Sequence, residues 1–251
     1  MKWFRDIGPG VLIAAAFIGP GTVTLCTIAG ASFGYSLIWA IILSTFSTIV
    51  LQEMSLRIGL VTRMNLAEVI RTSIKSKILN RFIILLIISS ILIGNTAYEA
   101  GNITGASLGI SAIINYESIN YIPVFIGLIA FVILYQGDYK ILEKSLVSLV
   151  IVMSISFFIT AIMTKPDITS LLKGIFKPQV NSSNLIVVLG LIGTTVVPYN
   201  IFLHSSLVSE KWKSIEKLKV ARIESFISIL LGGLVSLSII ITAASVSNQN
   251  V

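Results

Sequence analysis

Gly19-Pro20-Gly21-Thr22 stands in the middle of one apolar stretch, and Val197-Pro198-Tyr199-Asn200, preceded by Gly193-Thr194-Thr195, stands in the middle of another. Proline removes a backbone donor and clashes with the preceding turn, while glycine tolerates non-helical angles, so each tetrapeptide interrupts the helix that carries it. The flanking sequence decides what kind of helix is interrupted. No Asp, Glu, Lys or Arg occurs between Asp6 and Glu53, between Glu99 and Glu117, or after Glu224. Glu99 is the one such residue between Arg81 and Glu117. A spanning helix needs about 20 mostly apolar residues, and several of these gaps reach that length. In hydrocarbon, freed backbone groups must find partners, so unwound backbone survives there only inside protein or against a wet cavity.

Composition points the same way. Apolar residues make up 55% of the 251, charged residues 12%, and the mean hydropathy is +0.96. A soluble domain carries about 25% charged residues, so the soluble-globular class is excluded. Hydropathy and charge gaps predict an all-α, polytopic transmembrane protein with the lipid bilayer as its partner. It forms one domain over 1–251, with about seven spans at 9–31, 36–56, 82–110, 119–136, 145–164, 184–209 and 224–246. The net charge of +7 is a topology signal. With the N-terminus in the cytoplasm, all but Lys165, Lys173 and Lys177 of the 18 Lys and Arg residues fall on the inner side. The expected location is therefore the inner (plasma) membrane. No basic face with interleaved aromatics appears, so no nucleic-acid partner is expected. Cys26 stands alone and gives no disulfide. No nucleophile, base and orienter sit together, so neither an enzyme nor a cofactor is expected.

The two breaks lie in the first and sixth of these spans. An offset of five spans reverses orientation, and interrupted helices at matching places of inverted repeats point to a transporter site near the midplane. The candidate residues for a small ion or solute are Gly19, Gly21, Thr22, Thr194, Val197, Tyr199 and Asn200, with Asn200 read as supporting the unwound backbone. Two titratable groups lie at depth. Glu99 is a functional candidate because an ionisable group there is costly to insert, the alternative being a protonated glutamate bonded to Asn95, Tyr98 or Asn102. His204, the single histidine, lies one turn after Asn200 and on its face. Asn65 and Glu68 have the spacing of a helix-capping box, and residues 168–176 are predicted as a short surface helix. Gly101, Gly105 and Gly109 read as small-residue packing, and Trp3, Trp39 and Trp212 as interfacial anchors.

Longer segments resemble a known family. Ile7-Gly-Pro-Gly10 with Ala31-Ser-Phe-Gly-Tyr35, then Gln52 through Arg57-Ile-Gly-Leu-Val-Thr62 and Leu66-Ala-Glu68, and finally Gly193 to Asn200 with Leu203-His-Ser-Ser-Leu-Val208 are similar to the Nramp divalent metal transporters. The resemblance implies a LeuT-type fold of two inverted five-helix repeats, a metal held at the breaks of helices 1 and 6, and a proton pathway to which Glu99 and His204 would belong. This chain would supply the first repeat and the start of the second, so a missing C-terminal half is expected as its complement, and these residues alone are not expected to transport. The breaks depart from the family pattern. Where the family has Asp-Pro-Gly-Asn, the chain has Gly19 and Thr22; where it has Met-Pro-His-Asn, the chain has Val197 and Tyr199; the alanine that lends a carbonyl matches Thr194. The metal ligands are thus unassigned, since the family positions match Gly19, Thr22, Thr194 and Val197. A divalent ion stripped of water needs anionic or strongly dipolar replacement. The expectation is a secondary transporter of divalent cations, proton-coupled, with altered selectivity. The alternatives are a carrier for another small solute and a non-transporting scaffold or sensor.

Overall fold

Each break appears as two helices meeting end to end in the computed structural model, which describes residues 9–113, 121–136 and 139–249. Trp3, Ile7, Gly8 and the first residues of the predicted 119–136 span lie outside that set. Helix α1 (Pro9–Phe17) gives way to α2 (Pro20–Phe33) at Gly19, whose extended backbone precedes a proline in the first helical position. A 3-10 turn at Gly34–Leu37 leads into α3 (Ile38–Thr62). The short α4 (Leu66–Ser73) follows, then α5 (Lys77–Ser111), α6 (Ile122–Gln136), α7 (Tyr139–Met163) and α8 (Ile168–Phe176). The second break separates α9 (Leu185–Thr195) from α10 (Pro198–Lys211), and α11 (Leu218–Gln249) completes the order. No strand occurs among the described residues.

Local chemistry sets several boundaries. Asn65 and Glu68 form the predicted capping box, each side chain bonding the other's backbone N–H at 2.9 and 3.1 Å. Asp167 caps α8 by accepting from the Thr169 and Ser170 N–H groups. The Ser170 hydroxyl, and then the Thr169 amide, hold that carboxyl below the usual aspartate range. Helix α8 turns back on α7 at 117°.

Helices α1/α2, α3, α9/α10 and α11 pack into a central bundle; α5 and α7 lie against it, and α6 leans on α5. Polarity is distributed inside out relative to a soluble protein. The bundle interior buries Thr22, Ser44, Thr48, Gln52, Asn200 and His204. The flanking helices expose Phe125, Leu128, Phe131 and Leu134 on α6, and Leu149, Val152 and Ile162 on α7. Polar groups facing other helices and apolar groups facing outward is the arrangement a bilayer selects. Small residues set the spacing within the bundle: a Cβ on Gly30 of α2 would stand 2.5 Å from the Ile240 carbonyl oxygen and 2.7 Å from the Ala243 Cβ of α11. Of the glycines spaced along α5, Gly105 alone fits the small-residue reading, since a Cβ on Gly101 or Gly109 would meet nothing. Trp212 also differs from expectation. It is buried against Leu56, Leu60, Val208 and Ala221 instead of anchoring at an interface.

Glu53 of α3 pairs with Arg57 (3.1 Å) and with Arg222 of α11 (2.8 Å). Arg63 donates to the carbonyls of Trp212 and Lys213, and Glu224 of α11 accepts from the Gly10 N–H at the start of α1 (3.2 Å).

Replacing Gly30 by valine forces α2 away from the α11 backbone, an overpacking cost of about 1–3 kcal/mol. Gly30→Val therefore lowers the thermal unfolding temperature of the detergent-solubilised protein, whereas Gly109→Ala, which meets open space, leaves it nearly unchanged.

Candidate ion-binding site at the helix breaks

The two breaks expose backbone groups, and side chains from other helices meet them. At the end of α1, the Ala16 carbonyl accepts from the hydroxyls of Tyr98 on α5 and Tyr199 on α10, both at 3.3 Å. The two rings stand edge to face with centroids 6.2 Å apart. At the start of α2, the Gly21 N–H donates to Asn102 Oδ1 of α5 at 3.3 Å. The Asn102 Nδ2 in turn donates to Glu99 Oε2 at 3.4 Å. These partners fix the amide's orientation, because its oxygen faces an N–H and its nitrogen faces a carboxylate.

The second break is braced from α3. Thr48 Oγ1 donates to the Thr195 carbonyl at 3.2 Å, and Ser55 donates to the Ile201 carbonyl. Thr194 and Thr195 both turn back to the Leu191 carbonyl, at 3.1 and 3.0 Å. Asn200 contributes its backbone N–H to the Val197 carbonyl, but its side-chain amide, buried to 1%, has no protein partner. The support expected from that side chain comes from Thr48 and Ser55 instead. One turn on, His204 is fully buried; its Nδ1 lies 2.9 Å from Gln52 Oε1, and its Nε2 has no protein partner.

A cavity of about 690 Å³ opens beside the first break, between α1, α2, α5 and α7. Of the residues singled out from the sequence, Gly19, Tyr199 and Glu99 line it. Thr22 is fully buried and hydrogen-bonded with Tyr98. Thr194, Val197, Asn200 and His204 are buried in the bundle away from the cavity wall. The structure thus brings Gly19, Gly21, Glu99 and Tyr199 to one place, joined through Asn102 and the Ala16 carbonyl.

Asn102 is the residue that sequence reading undervalues. It enters there as a bonding partner of Glu99, yet it bridges α5 to the break and lines the cavity. Its spacing of three residues from Glu99, which puts both on one helix face, is the available signal. The close approach depends on glycine: a Cβ on Gly19 would stand 2.8 Å from Asn102 Oδ1, and one on Gly105 would stand 2.8 Å from the Pro20 carbonyl oxygen.

Comparison with known proteins places this architecture. Residues 10–251 match the family described as natural resistance-associated macrophage protein-like, Nramp. Among curated relatives, the divalent metal cation transporter MntH of Bacillus subtilis is 29% identical, over 97% of this chain and 58% of that protein. The metal transporter nramp1 homolog of Dictyostelium discoideum is 31% identical, over 93% of this chain and 45% of that protein. The crystal structure of the Eremococcus coleocola manganese transporter superposes with a TM-score of 0.74 at 22% identity, covering 95% of this chain and 51% of that one. The chain spans about half the length of the relatives it matches.

The Gly19–Asn102 contact makes a coupled prediction. Gly19→Ala destabilises the protein by about 1–3 kcal/mol through overpacking. In an Asn102→Ala background the same change costs little, so thermal unfolding of the two singles and the double shows strong non-additivity.

Proposed function

The chain belongs to the Nramp family, and we propose that it handles divalent metal cations as a secondary transporter, with ion selectivity altered from the family pattern and with proton coupling. The same proposal puts it in the plasma membrane with its N-terminus in the cytoplasm, an orientation that its Lys and Arg distribution supports. The observation that carries the reading is the cavity beside the first break, where the dipole of α1 presents its carbonyl end and Glu99 supplies a carboxylate. A cation is favoured at a helix C-terminus, and a carboxylate supplies the charge that dehydration demands.

Altered selectivity is supported by the break residues. Gly19, Thr22, Thr194 and Val197 carry no charge and no soft donor, and the hydroxyls of Thr22 and Thr194 are engaged within the protein. Proton coupling is supported by Glu99 at the cavity and by the buried Gln52–His204–Asn200 group, whose imidazole Nε2 and amide have no protein partner.

Calorimetric titration of the detergent-purified protein tests the proposal. Saturable Mn²⁺ binding with little or no Mg²⁺ heat is expected, accompanied by proton release that appears when buffers of different ionisation enthalpy are compared. Absence of heat from both ions, with the protein shown to be folded, refutes metal handling and turns attention to another solute.

A further inference from the structure

We infer that the cation site of this chain is displaced from the broken helix ends onto α5 and α7, with the Glu99 carboxylate, the Asn102 amide oxygen and the Met153 thioether as ligands for a divalent transition metal of borderline or soft character. The inference rests on the metal-handling reading above and assigns its ligands.

The broken ends themselves offer little to an ion. Gly19 has no side chain, and the space above it is filled by Asn102 Oδ1. Val197 has no donor atom, and neither Thr22 nor Thr194 lines the cavity. The donors that do face the cavity come from the helices packed against the break. Glu99 is the one charged lining residue among the described residues, and Asn102 lies on the same face three residues on. Met153, half-buried on α7, lines the same cavity and is the one residue of that lining whose side chain carries sulfur. Ala15 and Ala16, in the last turn of α1, line it too and stand at the negative end of that helix's dipole.

The chemistry of this set is selective. A carboxylate and an amide oxygen suit Mn²⁺, and a thioether adds affinity for softer ions such as Cd²⁺ while giving Mg²⁺ and Ca²⁺ nothing. One water occupies about 30 Å³ of liquid, so a cavity of about 690 Å³ leaves room for waters that complete the coordination shell.

Titration of the full chain with Mn²⁺, Cd²⁺ and Mg²⁺ tests the assignment. Glu99→Gln is expected to weaken Mn²⁺ and Cd²⁺ binding by about 100-fold or more. Met153→Leu is expected to shift the Cd²⁺-to-Mn²⁺ affinity ratio toward Mn²⁺ by about tenfold. Asn102→Asp adds a second carboxylate and is expected to raise Mn²⁺ affinity about tenfold, a gain that misfolding cannot produce. Affinities unchanged in Glu99→Gln and Asn102→Asp but lost in Thr22→Ala or Thr194→Val place the ion between the broken ends, which overturns the displaced site and leaves the metal-handling reading standing. No saturable binding of any of the three ions to folded wild-type protein overturns both.

Discussion

Two interruptions in otherwise apolar helices leave backbone carbonyls and amides where hydrocarbon or apolar side chains surround them, and the rest of the architecture answers that constraint. An unpaired buried peptide group costs about 1–3 kcal/mol, which a marginally stable protein cannot absorb at several positions. The α1 carbonyl end is met by two tyrosine hydroxyls, the α2 amide by Asn102, and the second break by Thr48 and Ser55. These partners come from α3, α5 and α10, so pairing the broken ends also draws separate helices together.

The same constraint organises polarity. Serine and threonine hydroxyls are buried on the faces that meet other helices, many returning to a carbonyl one turn earlier, as Ser44, Thr48 and Ser236 do. Such back-bonding satisfies the hydroxyl inside an apolar medium and leaves a lone pair for a neighbouring helix. Close approach of α2 to α11, set by Gly30, keeps this bundle narrow, while broad apolar surfaces of α5, α6 and α7 face outward. Helix α11 contacts both arms of the first interrupted span as well as α3 and α7, so it is the element that holds the break in place.

Charge is placed sparingly. The break residues carry none, and the Glu99 carboxylate of α5 is tied through Asn102 to the start of α2. Glycine, threonine and valine leave the break itself neutral, and the methionine among the residues that line the cavity belongs to α7. The cavity is lined from α1, α2, α5 and α7 together, so a change in the angle between the two arms of the broken span changes its shape. The buried His204–Gln52 contact lies in the bundle, and neither residue lines the cavity.

Much of this was legible in the amino-acid chain. Gaps without charge, together with Gly-Pro and Val-Pro punctuation, determined that the protein is all-helical, suited to a membrane and broken at Gly19 and Val197, because helix breaking and hydropathy are local properties. The capping box at Asn65 and the short helix at Ile168–Phe176 were readable for the same reason. Tertiary structure alone decided that Asn102 sits over Gly19, that two tyrosines share the Ala16 carbonyl, that Met153 faces Glu99's cavity, and that Asn200 leaves its own break to Thr48. Each of those contacts joins residues far apart in the chain, where helix packing fixes the distance and residue type alone leaves it open.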